Sequence, residues 1–267
     1  MTPGRGVLYV ASATGLALLA RSLLLAPLPL WIALLAFASY GAIVLAGVLL
    51  PQLEMYGPVV WRGPRGSASV ALTFDDGPHP EHTLRVLDIL DDYGVKATFF
   101  VLGSKADKHP QIIAEIAQRG HEIGVHGYDH DRFSSLRTAA RIEADVARAI
   151  AVVERITGVR PTLYRPPVGH VSPRTDTAAS RLDLDIVAWS VRGRDGVEGA
   201  RPAQVAARVI RGLKPGAIVL LHDAAEHDDR VPASIEALPA ILRAAASQGL
   251  SFTPAGEFVR QRFGDGS

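Results

Sequence analysis

The sequence predicts an α/β protein in which a parallel sheet, either closed into a barrel or left open, is covered by helices. Two observations predict this class. After residue 67, short apolar runs rich in branched side chains alternate with longer stretches of helical periodicity. Such alternation, with strands that are apolar on both faces, is typical of a buried parallel sheet. The first 50 residues differ in kind, because they are apolar and almost free of charge.

This apolar stretch predicts a membrane anchor over residues 1–50. Beyond Arg5 its only charged residue is Arg21, and a membrane-spanning helix needs about 20 apolar residues. Two transmembrane helices therefore fit, divided at the proline-containing turn of residues 26–29. A cleaved signal peptide would have a shorter apolar core, and the buried hairpin of a soluble domain would show a polar stripe. Arg21 beside the turn favours a cytoplasmic turn and an external domain, whereas Arg5 opposes that orientation.

Seven apolar runs predict strands, and the segments between them predict helices. Residues 138–157 show the clearest helical period, with apolar residues every three or four positions, and Gly158 follows as a C-capping glycine. The proline- and glycine-rich residues 51–66 predict a linker, and residues 67–267 the main domain. The predicted strands are residues 69–74, 97–102, 122–125, 162–164, 185–189, 217–221 and, more weakly, 250–252, and the predicted helices include residues 83–93, 110–119 and 138–157.

Composition excludes several kinds of site. The 267-residue chain has no cysteine, which excludes disulfides, thiolate zinc sites and cysteine nucleophiles. Its net charge of +1 shows no basic excess, so we expect no nucleic-acid partner. Nine histidines remain as metal ligands and as groups that titrate near neutral pH.

Charged and imidazole side chains follow five of the predicted strands. In α/β barrels and open α/β sheets the active site lies at the carboxyl ends of the strands. Each polar segment alone is weak evidence, but all five would meet at the carboxyl ends of the strands. We call this end of the barrel or sheet the mouth. The segments are Asp75-Asp76-Gly77-Pro78, His126-Gly127-Tyr128-Asp129-His130, Arg165-Pro166-Pro167-Val168-Gly169, the residues leading to Asp195, and His222-Asp223.

One of these groups of residues predicts a catalytic metal site. His126 and His130 would face the same ion if the chain turns helically after the strand, and Asp76 would add an oxygen. Two nitrogens and one carboxylate leave a position open for water and substrate, as in catalytic zinc sites. The alternative is a pair of loop histidines and a surface aspartate, but the Asp-Asp-Gly-Pro segment at a second strand end favours the ligand interpretation.

The adjacent residues Asp75 and Asp76 predict two carboxylates with different roles. On a regular strand they would point to opposite faces, but at a strand end that turns through Gly77 and Pro78 both can face the mouth. Two bare carboxylates would repel each other. A metal on Asp76 and the Arg165 guanidinium on Asp75 would remove that repulsion. The alternative, a turn-forming residue, explains one aspartate and not two.

The remaining histidines are less informative. His222 ends a run of five apolar residues, where a histidine is usually a satisfied core residue, and it becomes a candidate acid only if it lies across the metal from Asp75. The others lack an equivalent position and are expected to be solvated. They are His79, His82, His109, His121, His170 and His227.

These segments resemble the motifs of the polysaccharide deacetylase family, the fourth carbohydrate esterase family. Residues 73–78 look like its first motif unaltered, and residues 126–130 like its H-[S/T]-x-x-H motif. Residues 165–169 are similar to its R-P-P-Y-G motif, and residues 220–223 to its last motif. The resemblance covers roughly residues 67–263 and not the apolar hairpin. It implies a distorted (β/α) barrel of about seven parallel strands and one divalent metal ion, with zinc as the expected ion.

The resemblance also implies a role for each residue in cleaving an acetamide on a sugar. Asp75 would take a proton from water, kept ionised by Arg165, and His222 would protonate the leaving amine. The backbone N–H of Val168, together with the metal, would meet the oxyanion. The products would be acetate and a free amino sugar.

Four residues depart from the family pattern. Gly127 replaces a serine or threonine, and Val168 replaces an aromatic residue whose backbone N–H is the group expected to matter. Arg192 stands where the family commonly has an aspartate that orients the catalytic histidine, and Gly196 stands where it has tryptophan. Asp195 lies three residues beyond Arg192 and could substitute for the missing carboxylate.

Three functions follow from these observations. The first is removal of N-acetyl groups from an N-acetylglucosamine-type polysaccharide, peptidoglycan or chitin-like, at the cytoplasmic membrane of a bacterium with the catalytic domain outside. The second is O-deacetylation, or deformylation or deacetylation of lipid-linked sugars. The third, from another class, is a membrane-tethered glycan-binding protein without catalysis, against which the intact candidate residues argue.

Overall fold

The strands fall where the apolar runs predict them, with one addition. The computed structural model describes residues 2–225 and 230–264. The addition is a short strand after the fifth, because the chain between them leaves one neighbour in the sheet and joins another. The strands are β1 (Ser69–Asp75), β2 (Thr98–Val101), β3 (Glu122–Val125), β4 (Leu163–Tyr164), β5 (Asp185–Ile186), β6 (Val191–Arg192), β7 (Ile218–His222) and β8 (Ser251–Thr253).

The sheet is parallel throughout and curls into the predicted distorted barrel. Its order is β5-β4-β3-β2-β1-β7-β6, and β8 pairs with the first half of β1. The opening lies between β5 and β6. Val60 bridges to Val187 on one side of it, and Arg62 bridges to Ala217 on the other. The residues predicted as a linker therefore contribute backbone pairing to the barrel, with Val60 fully buried.

Ten helices surround or precede the sheet in the described part of the chain. Helix α6 illustrates how the sequence specifies them: the Thr138 side chain caps its first turn, Ile142 and Val146 are buried on its inner face, and Gly158 ends it at a φ of 73°. The helices are α1 (Pro3–Leu24), α2 (Leu30–Leu49), α3 (His82–Asp92), α4 (Gly103–Lys108), α5 (Pro110–Gln118), α6 (Ala139–Thr157), α7 (Pro173–Arg181), α8 (Pro202–Gly212), α9 (Ser234–Ser247) and α10 (Ala255–Phe263).

The C-terminal helix α10 fills the barrel at the amino ends of the strands. Phe258 is fully buried in a cluster with Phe100 of β2 and Val60. The first turn of α10 is anchored by side chains of neighbouring strands, since Ala255 N–H donates to Thr98 Oγ1 at 2.8 Å and Gly256 N–H to Glu122 at 2.8 Å. The amino ends are thus sealed by apolar packing, which leaves the carboxyl ends as the open mouth.

Helices α1 and α2 form the predicted hairpin and are long and apolar enough to cross a membrane. Almost none of their residues are buried within the protein. Within the described residues, hydrogen bonds join the base of the hairpin to the chain that follows it. The Tyr56 hydroxyl donates to Val44 O at 2.7 Å, and Val171 N–H donates to Val48 O at 3.2 Å. The hairpin therefore projects from the barrel as a separate apolar unit that is fixed at its base.

Candidate metal centre and active site

The polar segments that follow the strands meet in one cavity at the mouth of the barrel. The cavity has a volume of about 270 Å³. Six of the eight sequence-predicted site residues line it, while Arg165 and Asp195 lie buried behind its wall. The six are Asp75, Asp76, His126, His130, Val168 and His222.

Asp76, His126 and His130 lie close enough to share one metal ion. Nε2 of each histidine is 3.5 Å from Asp76 Oδ1, and the three candidate ligand atoms lie within 4.8 Å of one another. Asp76 Oδ1 is buried and has no hydrogen-bond partner among the residues that the structure describes. A buried carboxylate oxygen normally requires a partner, so this orphan atom fits a cation. The donor set of two imidazoles and one carboxylate also fits a catalytic divalent ion such as zinc.

The tautomer of His126 is set by the chain behind it. Its Nδ1 is 2.6 Å from the carbonyl oxygen of Arg165, which can only accept, so Nδ1 carries the hydrogen. The lone pair of Nε2 then faces the Asp76 carboxylate, as a metal ligand requires. Burial lowers the pKa of His126 despite the nearby carboxylates of Asp75 and Asp76. The imidazole is therefore neutral and available as a ligand at neutral pH.

The division of the aspartate pair follows from the backbone at the end of β1. Asp75 is the last strand residue, whereas Asp76 has a φ of 72°, in the left-handed region. Aspartate tolerates that region better than most residues. The change of conformation breaks the alternation of the strand, so both carboxylates face the mouth. The adjacent Gly77 packs against the Asp223 carboxylate, where any side chain would collide.

Arg165 holds Asp75 from inside the barrel. Its guanidinium donates to Asp75 Oδ1 at 2.6 Å and to Thr73 Oγ1 at 2.8 Å. It also donates to the carbonyl oxygens of Val187 and Ala188, both at 3.1 Å, and Arg165 itself has no exposed surface. The second oxygen, Asp75 Oδ2, is 3.9 Å from His126 Nε2, on the metal side. Asp75 is therefore a fixed carboxylate with one oxygen occupied and one directed to the site.

The structure places Asp195, and not Arg192, against His222. Asp195 Oδ1 is 3.1 Å from His222 Nδ1, and Asp195 Oδ2 accepts from His222 N–H at 2.7 Å. Burial alone would lower the pKa of His222, but Asp195, with smaller contributions from Asp76 and Asp75, outweighs burial and raises it to about 10. Nε2 of His222 lies 4.0 Å from Asp76 Oδ2, across the metal site.

Val168 lies in the wall of the cavity and has a strained backbone conformation. Its φ is 53°, which is unfavourable for a β-branched residue and marks a conformation imposed by its surroundings. The next residue, Gly169, packs directly against the ring of Trp189, and both line the cavity. Trp189 thus supports the loop that presents the Val168 peptide to the mouth.

Sequence reasoning missed two carboxylates that support the site, the half-buried Asp145 and the buried Asp223. Asp145 of α6 accepts from Tyr128 N–H at 2.9 Å and so holds the loop between the two histidines, where Gly127 lacks the family's hydroxyl. Asp223 accepts from the Thr83 hydroxyl at 2.5 Å beneath the turn after β1. Burial raises the pKa of Asp223 to about 7. A charged residue on a helix face flanked by Ile142 and Val146 was the available signal for Asp145.

The expectation that the remaining histidines are solvated is wrong for two of them. His82 and His121 are each only 6% exposed. His121 Nδ1 accepts from Ala97 N–H at 3.2 Å, and burial lowers its pKa to about 4. His79 stacks on His82 with ring centroids 3.8 Å apart. His227 lies outside the described residues.

This fold and this mouth define a class of protein, the α/β-barrel hydrolases that act through one divalent metal ion. A family model described as polysaccharide deacetylase matches residues 62–187. A peptidoglycan-N-acetylglucosamine deacetylase of Bacillus cereus is 33% identical over 217 residues, covering 80% of this chain and 99% of that protein. The chain belongs to the polysaccharide deacetylase family.

Solved structures agree with this assignment. The crystal structure of the Bc1960 peptidoglycan N-acetylglucosamine deacetylase has a TM-score of 0.71 and 31% identity, covering 78% of this chain and 95% of that chain. A family 4 acetyl xylan esterase from Clostridium thermocellum, solved with a cobalt ion, has a TM-score of 0.64 and 34% identity. It covers 71% of this chain and 89% of that chain. The predicted barrel and family are confirmed.

Removing one imidazole ligand should empty the metal site. We expect wild-type protein to retain about one divalent ion per chain after dialysis, and His126→Ala or His130→Ala to bind it more than about 100-fold more weakly, because losing a ligand costs more than losing its supporting hydrogen bond. Elemental analysis of the full-length protein in detergent measures this. His109→Ala, outside the cavity, is the matched control; full occupancy in His126→Ala would show that the site is wrongly placed.

Proposed function

We propose that this protein removes N-acetyl groups from an N-acetylglucosamine-type glycan, peptidoglycan or chitin-like, at a membrane surface. The observation that carries this proposal is the geometry of Asp75 and His222, which are register partners on β1 and β7. Each approaches a candidate metal ligand: Asp75 Oδ2 is 3.9 Å from His126 Nε2, and His222 Nε2 is 4.0 Å from Asp76 Oδ2. One is a carboxylate fixed for taking a proton, and the other an imidazolium fixed for giving one. The similarity to the peptidoglycan-N-acetylglucosamine deacetylase of Bacillus cereus supports the substrate class.

Asp76, His126 and His130 are the residues that would hold the ion. When bound, a divalent ion supplies Lewis-acid chemistry, polarising the acetyl carbonyl and lowering the pKa of water toward about 7. Asp75 acts as the general base through Oδ2, because Oδ1 is engaged by Arg165. That ion pair fixes the orientation of the carboxylate, so Oδ2 stays directed to the site. General-base catalysis of this kind contributes about 10²–10⁴-fold.

His222 acts as the general acid. Asp195 binds its Nδ1 and stabilises the imidazolium, so the proton available for transfer is on Nε2. That atom faces the mouth, where it can protonate the departing amine of the sugar. The Val168 peptide, presented by its left-handed conformation, is the proposed donor to the oxyanion.

The apolar hairpin supports a location at the cytoplasmic membrane of a bacterium, with the barrel on the outside. Helices α1 and α2 are largely unburied along their length. Apolar helices of this length exposed to water would be unfavourable, whereas a bilayer accommodates them. Zinc is the proposed ion, because two imidazoles and a carboxylate form a typical zinc donor set.

A second candidate activity is ester cleavage of an O-acetylated glycan. The match to the acetyl xylan esterase structure favours it specifically. The same base, acid and metal residues could serve both reactions. Release of a free amine together with acetate identifies amide cleavage, whereas acetate without new amine identifies ester cleavage. Absence of turnover on acetylated substrates by metal-loaded protein would leave deformylation of lipid-linked sugars and the glycan-binding alternative.

Two single substitutions test the division of the aspartate pair. Asp75→Asn should keep the metal and lose about 10²–10⁴-fold in turnover, because the amide cannot take a proton but can still accept from Arg165. Asp76→Asn should lose the metal first. The measurements are metal content and amine release from an acetylated chitooligosaccharide. Equal metal loss in both variants would show that the two roles are wrongly divided.

Asp195→Asn should shift the alkaline limb of the pH–rate profile. His222 must be protonated to act as acid, so activity falls as the pH rises through its pKa. Removing the carboxylate lowers that pKa, and the limb should move by about 1–3 units to lower pH. The control is Glu198→Gln, an exposed acid on the same loop. An unmoved limb in Asp195→Asn would make Asp195 a bystander.

The membrane topology is testable with protease. Arg21 at the turn predicts a cytoplasmic turn and an external barrel. Protease added to intact cells with a permeabilised outer layer should then digest the barrel domain, whereas a cytoplasmic protein in the same cells should survive as the control. Protection of the barrel until the cells are lysed would reverse the topology.

A further inference from the structure

Two arginines at the mouth take no part in the chemistry described above. Arg192 ends β6, and Arg194 lies in the loop that follows; both line the catalytic cavity. Both side chains are exposed. Within residues 2–225 and 230–264, neither guanidinium forms an ion pair. The only described contact of the Arg192 guanidinium is its position 5.7 Å from the centroid of the Trp189 ring.

The carboxylates at the mouth are already committed to other groups. Asp75 is paired with Arg165, and Asp195 with His222. Asp76 is the candidate metal ligand. Within residues 2–225 and 230–264, these three acids at the reacting centre therefore do not balance the positive charges of Arg192 and Arg194. An uncharged acetylated sugar would leave them unbalanced as well.

The local backbone directs the side chains of this segment in different ways. Arg194 has a φ of 57°, and the next residue, Asp195, is 2% exposed and turned inward to His222. The carbonyl of Gly193 accepts from the Arg208 guanidinium, which fixes the segment from behind. At Arg194 the chain changes direction, so the Asp195 carboxylate is buried beside His222 while Arg194 itself lies at the cavity. The backbone strain of such a left-handed residue is retained where surrounding contacts impose it, often at functional sites.

The cavity leaves open space between the two arginines and His222, the proposed general acid. A side-chain carbon at Gly196 would lie 3.4 Å from Nδ1 of the His222 ring, so the glycine leaves this face of the ring uncovered. A substituent on the sugar carbon next to the acetamide could occupy that space. Two common anionic substituents lie on such neighbouring carbons: the lactyl carboxylate of a muramic sugar, on C3, and a phosphate on C1.

We propose that Arg192 and Arg194 form an anion-binding subsite, which selects glycans carrying a carboxylate or phosphate on a carbon next to the acetamide. This inference rests on the proposed deacetylase function and specifies its substrate class. Guanidinium groups bind carboxylate and phosphate through paired, charge-assisted hydrogen bonds. The anion is therefore held at the rim while the uncharged acetamide enters.

The test compares matched charged and neutral substrates. Full-length protein in detergent, loaded with zinc, receives an oligomer of alternating N-acetylglucosamine and N-acetylmuramic acid, and the same oligomer with its carboxylates converted to amides. UDP-N-acetylglucosamine, compared with the methyl glycoside of N-acetylglucosamine, provides the phosphate arm. The variants are Arg192→Gln with Arg194→Gln, the corresponding double lysine variant, and Arg211→Gln at the far end of α8 as the control.

We expect wild-type kcat/KM to be higher for at least one charged substrate than for its neutral partner. The double glutamine variant should reduce that ratio by about tenfold or more, mainly through KM, because two charge-assisted hydrogen bonds are lost. The lysine variant should restore part of the ratio, and Arg211→Gln should leave it unchanged. The arm that shows the preference identifies carboxylate or phosphate.

Two results would overturn the subsite: no preference of the wild type in either arm, or an equal loss of kcat/KM on charged and neutral substrates in the double glutamine variant. Calorimetric binding of the charged oligomer and its amide gives a readout without turnover. Charge-selective binding that disappears in the double variant, with no turnover on any substrate, would support the subsite and reject the proposed deacetylase function.

Discussion

The buried ion pair between Arg165 and Asp75 is the interaction on which the site depends. A guanidinium without exposed surface is costly unless all of its donors are engaged. Here β4 supplies the arginine, β1 supplies Asp75 and Thr73, and the chain after β5 supplies two carbonyl oxygens. The ring of Phe100 lies 4.0 Å from the guanidinium carbon and covers its face. One side chain thus ties together strands on opposite sides of the barrel and fixes the carboxylate at its mouth.

The same pair connects the base with the metal site. The carbonyl of Arg165 fixes the tautomer of His126, while its guanidinium fixes Asp75. A lysine in this position could not satisfy the same set of acceptors, because it lacks the planar fork of donors. The burial that makes the pair costly therefore also gives it geometric precision, since neither partner has another arrangement in which its charge is balanced.

The alternation of apolar strands with helices predicted a parallel α/β sheet, and the resemblance of the chain's motifs to the polysaccharide deacetylase family predicted that this sheet forms a distorted barrel. The sequence also predicted candidate metal and base residues that the structure brings together, since Asp75, Asp76 and His126 follow predicted strands and His130 lies in the same loop as His126. Two features could not be predicted. The predicted fifth strand is split into β5 and β6 because β5 pairs with β4 and β6 pairs with β7, which only the folded sheet shows. The role of Asp145 depends on its contact with Tyr128, 17 residues away along the chain. The linker prediction likewise missed the pairing of Val60, because two bridging residues show no period.

The base of the hairpin contacts the wall of the catalytic cavity that contains Val168 and Trp189. Gln52 donates to the carbonyl oxygen of Trp189 at 3.2 Å, and Val171, which pairs with Val48, lies three residues beyond Val168. Trp189 in turn packs against Gly169 and lies near the Arg192 guanidinium. The base of the hairpin therefore braces the loop that presents the Val168 peptide and the ring beside the arginines. At the proposed membrane location, these contacts would keep the barrel from turning freely about the hairpin, so the same contacts that orient the mouth would restrict which glycans reach it.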